Sequence, residues 1–364
     1  MRGFHLASGI PPRTATVSSV ACFAVAVFLS GCGGQSGALR QPFDGVYPAQ
    51  RDIAMTMPHY VQRPVHPDRN RSSMSHDAKK GPALLYVGDD STDDVYVYDY
   101  KSGKPVGTLT GFDGPYGECV DGKGDIYVAN FDAGNAVEYA HGGTEVLNTY
   151  NSGGTPIGCS VDSKGDVAVT SFDPGEVTVY AKGNPNKSTT YGESSCTYFW
   201  TMGYDDKGNL VGGGETSSGK GYICALLAGA KKITLLSTSG ITIDFPGGTT
   251  WDGKYFALMD QGGDFQSGLV RATLKGTTLY YISETTLSDD CYNDYVDVVN
   301  PFIAGKTNTL FYGKQGNAIV GPNLWCPDGG EGKVDYWRYP AGGLPYKDLT
   351  APSEPYGSAV SIAQ

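Results

Sequence analysis

A recurring tight turn constrains the fold of this chain more than any other feature. Turns that begin with Asp and contain Lys start at Asp121, Asp162, Asp205 and Asp252, so they are 41, 43 and 47 residues apart. Each turn separates two short runs in which apolar and polar residues alternate, as in "GECVDGKGDIYVAN" and "GCSVDSKGDVAVTS". A Gly/Asp-rich loop and another alternating run follow. Alternation with period two and 52 glycines exclude a helical repeat, so the pattern predicts units of about four β-strands.

Two more segments extend the repeat to six units. The run "LLYVGDDSTDDVYVYDY" (84–100) matches the middle of a unit but lacks the first strand, and 309–343 supplies a sixth unit. The missing strand is at the other end of the chain, because "PYGSAVS" (355–361) matches "PYGECVD" (115–121). We therefore predict an all-β fold over 83–364: a six-bladed β-propeller closed by the C-terminal strand, which joins the N-terminal blade beside 84–88. A β-sandwich does not explain a repeat near forty residues.

The repeat resembles a known family. The run "PYGECVDGKGDIYVAN" (115–130) is similar to NHL-type propellers and, more loosely, to the gluconolactonase/senescence-marker and streptogramin-lyase propellers. The similarity is good over 115–182, weaker over 197–345 and absent before 83. These families share a fold and differ widely in function, so the resemblance implies architecture and little else.

The N-terminus is typical of a bacterial lipoprotein. Residues 1–31 have a basic start, an apolar run over 17–29 and "LSGC" at the end, which predicts cleavage before Cys32 and acylation of its sulfur. An ordinary secretory signal is the alternative interpretation. Residues 32–82 are rich in Pro, Arg, Ser and His without a sustained period, which predicts a flexible tether. We expect an exported protein, anchored to the membrane by lipid at the cell envelope.

Charge narrows the choice of partners. The segment 83–364 has 18 Lys and Arg against 34 Asp and Glu, a net charge of −16. A domain this acidic repels phosphates, so no nucleic-acid partner is expected. The Asp-rich loops between second and third strands all fall at one end of the predicted propeller. That end is expected to attract cations or basic proteins.

Six cysteines lie within the predicted propeller. An even number in an exported chain indicates disulfides, and no C-x-x-C pair is present to bind zinc. Cys119 and Cys159 lie one register apart on the first strands of consecutive units, so they can face each other, although two buried free thiols are the alternative. The other four are expected to pair within their units, Cys196 with Cys224 and Cys291 with Cys326.

Candidate ligand-binding residues come from aligning the first strands by their Asp turns. An aromatic row and a carboxylate row emerge near the predicted channel mouth, and together they give six candidates: Tyr116, Glu118, Trp200, Tyr295, Asp297 and Tyr356. Aromatic rings beside carboxylates suit a carbohydrate or a bound cation. The alternative is that the rings only pack between blades. His141, in an outer hairpin, is expected to be structural.

Two functional hypotheses follow from these residues. The first is a non-catalytic binding or scaffolding module that acts through its acidic, aromatic-rich end and requires no cofactor. The alternative is a metal-dependent hydrolase or lyase of small lactones or sugars, as the resemblance to the lactonase and lyase propellers implies. Ca²⁺ or another divalent cation would then bind oxygen ligands, for which Glu118, Asp260 and Asp294 are the candidates.

Overall fold

A computed structural model describes residues 71–81, 83–243, 246–260, 268–288, 302–304, 317–323, 333–350 and 355–363. Two short 3₁₀ turns, Ala78–Lys80 and Ala181–Gly183, accompany the strands. In chain order the strands are β1 (Ser73–Met74), β2 (Ala83–Asp89), β3 (Asp94–Asp99), β4 (Pro105–Thr110), β5 (Pro115–Val120), β6 (Ile126–Asn130), β7 (Asn135–Tyr139), β8 (Val146–Asn151), β9 (Pro156–Val161), β10 (Val167–Ser171), β11 (Glu176–Tyr180), β12 (Ser188–Gly192), β13 (Tyr198–Phe199), β14 (Gly203–Tyr204), β15 (Leu210–Glu215), β16 (Gly221–Leu226), β17 (Thr234–Leu235), β18 (Ser237–Ser239), β19 (Pro246–Trp251), β20 (Phe256–Asp260), β21 (Gly268–Lys275), β22 (Thr278–Thr286), β23 (Phe302–Ala304), β24 (Asn317–Asn323), β25 (Lys333–Tyr339), β26 (Lys347–Thr350) and β27 (Pro355–Ile362).

The strands of the described residues form six sheets, numbered along the chain. Sheet 1 has the order β27-β2-β3-β4-β1, sheet 2 the order β5-β6-β7-β8 and sheet 3 the order β9-β10-β11-β12. Sheet 4 contains β13 and β14, both paired with β15, then β16 and β17. Sheet 5 has the order β19-β20-β21-β22-β18, and sheet 6 the order β23-β24-β25-β26. The predicted all-β fold of mostly antiparallel sheets with four or five strands is confirmed.

The repeated aspartate fixes the same tight turn in sheets 2 to 5. Oδ1 of Asp121 accepts the backbone N–H groups of Lys123 and Asp125 at 2.8 and 2.9 Å. Asp162 and Asp205 accept the corresponding pairs, and Asp252 accepts from two residues of a turn that is one residue shorter. When one carboxylate accepts two backbone N–H groups of the same turn, it fixes the conformation of that turn. This explains why Asp recurs at this position.

The first strand of each of sheets 1 to 5 contains a β-bulge near its start. In sheet 2, Pro115 pairs with Asn130 and Glu118 with Val128, so two residues of β5 oppose one of β6. One extra residue is likewise present in β9, β19 and β27, and between β13 and β14. A β-bulge changes the direction of the side chains next to it. It also shifts by one residue the pattern in which side chains point to the two faces of the sheet.

The first strands of successive sheets contact one another: β27 with β5, β5 with β9, β9 with β14, β14 with β19, β19 with β23, and β23 with β27. Antiparallel pairing then fixes two ends for every sheet. The Asp-turn end holds the turns after the first strands and the hairpins between third and fourth strands. The acidic end holds the loops between second and third strands and the connections from each sheet to the next.

The hydrophobic core lies between neighbouring sheets. Val95, Val97 and Leu109 of sheet 1 pack in one cluster with Ile126 and Val128 of sheet 2. Comparable clusters join sheets 2 and 3, 3 and 4, 4 and 5, 5 and 6, and 6 and 1. Each central strand therefore buries both of its faces, and β2 and β27 are buried along their whole length.

Sheet 1 takes strands from both ends of the chain. β27 pairs with β2 over seven residue pairs, from Ala83 with Ile362 to Asp89 with Pro355. At its outer edge, Ser73 and Met74 of β1 pair with Thr108 and Gly107 of β4. The Met74 sulfur lies where a side chain at position 107 would stand, so only glycine admits it. We call residues 71–81 the N-terminal strap.

The strap moves the expected domain boundary. The sequence predicts a tether up to residue 82, but the strap pairs with β4, and Ala78 is buried in the cluster between sheets 1 and 2. The described part of the fold therefore includes residues 71–81. The sixth unit predicted over 309–343 is described only in part, as β24 and β25.

Candidate functional site

The aromatic residues of the predicted channel mouth form stacks between sheets. The Tyr116 ring lies 4.4 Å from that of Tyr356 and 4.7 Å from that of Phe131, both nearly parallel to it. Trp200 packs on Phe172 at 5.4 Å. Tyr116, Trp200 and Tyr356 are between 4 and 6 % exposed. They occupy the bulged part of the first strands and pack against neighbouring rings, whereas Tyr295 lies outside the described residues.

Glu118 is sealed between sheets 1 and 2. Its carboxylate oxygens fill the space left by Gly88 and Gly357, which are paired across β2 and β27 and lack side chains. Neither oxygen has a hydrogen bond of good geometry within the described residues. Desolvation raises the pKa of Glu118 well above its usual range, and the nearby N–H groups of Gly88 and Glu118 only partly oppose this.

The residues considered for a metal site do not converge where the structure describes them. Glu118 is enclosed by glycine backbone, and Asp260 ends β20 opposite Pro246 and Gly268. Asp294 and Asp297 lie outside the described residues. Across the described ranges, no three His, Cys, Asp or Glu side chains are arranged to hold a metal ion.

Two of the three expected disulfides fall on described residues, and both are present. Cys119 of β5 and Cys159 of β9 are bonded, with a Cα–Cα distance of 5.6 Å, and join sheets 2 and 3. Cys196 and Cys224 of sheet 4 are bonded across 6.9 Å. Cys291, Cys326 and the predicted acylation site Cys32 lie outside the described residues. The chain therefore suits an oxidising environment.

His141 has a structural position, as the sequence predicts. Its Nε2 lies 2.9 Å from the carbonyl oxygen of Gly81, which can only accept, so Nε2 carries the proton. Nδ1 lies 2.7 Å from the Ser361 hydroxyl at the end of β27. Burial lowers the pKa of His141. The ring thus joins the strap, sheet 2 and the C-terminal strand.

Basic residues are strongly segregated between the two ends of the sheets, whereas carboxylates occur at both. Eleven carboxylates of the described residues lie at the acidic end, of which the first two are buried: Asp89, Asp90, Asp93, Asp94, Asp113, Asp132, Asp173, Glu176, Glu193, Glu215 and Asp260. Arg71, Lys220 and Lys333 are the basic residues described there. The opposite end has thirteen exposed lysines, at 79, 80, 101, 104, 123, 164, 182, 187, 207, 231, 232, 254 and 275. The acidic end is therefore a surface of concentrated negative charge, as the sequence predicts.

A cavity that the sequence did not reveal lies at the Asp-turn end. It has a volume of about 360 Å³ and is bounded by the first strands of sheets 2 to 5. Backbone groups, the bridged Cys119 and Cys159, and hydroxyl-bearing residues such as Ser160 and Thr250 line it. The carboxylates at its edge, Asp121, Asp162 and Asp205, hold their own turns through Oδ1. The lining is therefore mostly structural.

Comparisons with known proteins support the fold. No family model and no curated protein matches the chain. A nidogen/laminin complex matches in structure with TM-score 0.57 and 13 % identity, over 78 % of this chain and 99 % of the other. Hydrazine synthase of Kuenenia stuttgartiensis matches with TM-score 0.49 and 15 % identity, over 77 % and 79 %. An inactive virginiamycin B lyase of Staphylococcus aureus, solved with quinupristin, matches with TM-score 0.46 and 13 % identity, over 70 % and 78 %.

The sheets, their packing and the match to the nidogen structure define the class: this chain is a β-propeller protein. At 13 % identity the likeness extends to the fold alone. The part of the chain that the structure describes includes no helix with the length and apolar character needed to cross a bilayer.

Proposed function

We propose that this protein is an exported, lipid-anchored propeller of six blades, NHL-like in its repeat and closed by β27, that binds a basic protein through its acidic end without catalysis. The observation that carries the proposal is the excess of negative charge at the acidic end: eleven carboxylates against three basic residues among those described. Such a surface accelerates encounter with a cationic partner and disfavours anionic ones.

The blade count and closure are supported by the contacts between first strands. Six sheets are described, and each first strand contacts the next, including β23 with β27 and β27 with β5. The seven residue pairs between β2 and β27 cover the edge of β2 that would otherwise be unpaired, and β27 becomes the inner strand of sheet 1. Lipid anchoring rests on the "LSGC" run that ends at Cys32.

A protein partner suits the acidic end better than a sugar ring or a small cation. Tyr116, Trp200 and Tyr356 are buried in stacks, so their ring faces are not open to a sugar. The acidic loops above them offer charge over a broad surface rather than one enclosed pocket. The nidogen structure was determined with laminin, which is a precedent for a protein partner on this fold.

The alternative, a metal-dependent hydrolase or lyase, lacks a specific observation in its favour. Its candidate ligands Glu118 and Asp260 are not part of any metal-binding group among the described residues. Burial also raises the pKa of Glu118, which disfavours the ionised carboxylate that a Ca²⁺ ligand must supply.

The test measures binding of a lysine-rich 20-residue peptide to the full chain by calorimetry at low and high salt. The variant Asp132→Asn, Asp173→Asn, Glu176→Gln removes three charges from the acidic end. We expect affinity to fall about tenfold at low salt and the difference to shrink at high salt.

The matched control removes three carboxylates from exposed residues at the Asp-turn end: Asp206→Asn, Glu145→Gln, Asp348→Asn. Its affinity should stay within about twofold of the parent. Equal losses in the two variants would mean that net charge alone attracts the peptide, and the proposed binding surface would be wrong.

A further inference from the structure

The hairpins between third and fourth strands carry a ring of lysines at the Asp-turn end. Seven lysines are exposed in the hairpins of sheets 1, 3, 4 and 5: Lys101, Lys104, Lys182, Lys187, Lys231, Lys232 and Lys275. The acids beside these hairpins and their counterparts in sheets 2 and 6 are Asp99, Glu145, Asp166 and Asp348, and Oδ1 of Asp166 accepts the backbone N–H of Lys182. We call these hairpins the basic rim. Unlike the chain as a whole, the rim is net positive.

Exposed apolar side chains are gathered at the same rim. The large hydrophobic residues that the described ranges expose are Val146, Leu147, Leu235, Tyr280, Tyr281, Ile282, Leu344 and Tyr346. Each lies in a hairpin of sheets 2, 4, 5 or 6 or within the first five residues of the strand that follows it. The acidic end has no such residue among those described. Tyr281 and Ile282 lie near the middle of β22, and the other six lie in or directly next to the hairpins. Scattered exposed hydrophobics are ordinary, but six gathered at one end of the sheets are not.

The hairpins project in a common direction, because neighbouring sheets are joined at this end. His141 in the hairpin of sheet 2 contacts Gly81 and Ser361 of sheet 1. Nζ of Lys347, after the hairpin of sheet 6, donates to the carbonyl oxygens of Tyr100 and Lys101 in sheet 1. The first strands of sheets 2 to 5 meet around the cavity at this same end. The rim is therefore a continuous face.

From lysines interleaved with Tyr, Leu, Ile and Val on one face, we infer that the basic rim docks on an anionic lipid bilayer. Lysines attract anionic headgroups, while aromatic and aliphatic side chains enter the interface between headgroups and acyl chains. A soluble polyanion would satisfy the lysines but leave the apolar residues in water. The segment 33–70 spans at most about 130 Å when extended, so a chain acylated at Cys32 keeps the rim within reach of the membrane.

This orientation goes beyond the proposed binding function and is compatible with it. With the rim on the bilayer, the acidic end faces away from the membrane. Its carboxylates avoid anionic headgroups and remain accessible to a basic partner.

Lysine footprinting tests the docking surface directly. The full chain is acetylated with and without vesicles of phosphatidylglycerol and phosphatidylcholine, and each lysine is quantified by mass spectrometry. We expect acetylation of Lys182, Lys187 and Lys275 to slow about fivefold with the anionic vesicles and to be unchanged with phosphatidylcholine alone. Lys220, at the acidic end, is the internal control and should react equally in both. Equal protection of Lys220, or no protection of the rim, would overturn the inference.

Two variants of sheet 4 separate position from net charge. Lys231→Gln with Lys232→Gln lowers the charge of the rim by two, and Ser217→Glu with Ser218→Glu lowers that of the acidic end by two. Only the first pair should weaken protection of the remaining rim lysines. Ile282→Ser with Leu344→Ser should weaken it as well. If soluble polyglutamate protects the rim as strongly as vesicles do, the partner is an acidic polymer and the bilayer is excluded.

Discussion

Glu118 stands out in the sequence as a candidate ligand-binding residue, but in the structure its carboxyl is buried between two sheets. The alignment by Asp turns correctly places it on a first strand. Its chemistry is decided by two glycines, one 30 residues before it and one more than 200 residues after it, which leave a space that its carboxyl fills. No local pattern around position 118 reveals that burial, so its raised pKa could not be predicted from the sequence.

The enclosed carboxyl predicts an unusual dependence of stability on pH. The pKa of Glu118 is higher in the folded than in the unfolded chain, so the folded state binds the proton more tightly. The free energy of unfolding should therefore decrease as pH rises from about 5 to about 8. Glu118→Gln removes the ionisation and should stabilise the protein at pH 8 by about 1–3 kcal/mol. Urea unfolding at several pH values measures this.

Glu145→Gln is the control for this prediction, because Glu145 is exposed in the hairpin after β7. It should leave the pH profile of the parent unchanged. A Glu118→Gln variant that is less stable than the parent at pH 8 would mean that the carboxylate is ionised and stabilised in the folded protein.

Among the strands, those that flank an Asp turn were the most predictable from the sequence. The Asp turns located β5, β6, β9 and β10 because a carboxylate that binds two turn N–H groups leaves a clear sequence signature. The bulges left none, since an extra residue in a strand is a property of pairing. They are the reason that alternation alone did not orient Tyr116, Trp200 and Tyr356. The strap was missed because short segments that pack at a sheet edge have no periodicity.

The disulfide between β5 and β9 is expected to stabilise two neighbouring sheets. It closes a loop with a sequence separation of 40, so Cys119→Ala with Cys159→Ala should lower the free energy of unfolding by about 4 kcal/mol. Urea unfolding without reductant gives the difference.

The bridge within sheet 4 is the natural comparison. It has a sequence separation of 28, and loss of Cys196 and Cys224 should cost slightly less, about 3.5 kcal/mol. Reductant should reduce the stability of the parent and leave a variant without any disulfide unaffected. If the Cys119 and Cys159 variant loses less than about 1 kcal/mol of its free energy of unfolding, the bridge stabilises the protein neither through loop entropy nor through packing.

For the whole molecule, the pairing of β27 with β2 carries the largest single consequence. The match between "PYGSAVS" and "PYGECVD" made this pairing predictable across more than 260 residues, because each repeat has the same place for its first strand. The order of strands in sheet 6 was less predictable, since its loops are long and lack the Asp turn. Repetition therefore fixed most of the architecture, and the departures from repetition account for most of the errors.

Deleting 355–364 should expose the edge of β2 and the apolar faces that β27 covers. All eight residues of β27 are buried, so we expect aggregation and loss of the cooperative thermal transition. Val360→Asp should lower the melting temperature by about 6 °C or more, which corresponds to about 3 kcal/mol or more for an uncompensated buried charge. Size-exclusion chromatography and calorimetry measure both effects. Deletion of 363–364 alone is the control, and a monomeric 355–364 deletion with unchanged melting would contradict the proposed closure.

Sheet 1 combines strands from the N-terminal and C-terminal parts of the chain, so it can be completed only late in synthesis. β2, β3 and β4 are among the first folded segments to be synthesised, yet their partner β27 is the last. During synthesis and export, the strand that follows the strap must wait, with one edge unpaired, until nearly the whole chain has been delivered. A chain that emerged from a translocation pore with its N-terminus first would fold its middle sheets before its first one. During synthesis, β2 must therefore be kept from pairing with another chain until β27 is available. The finished protein no longer has this requirement.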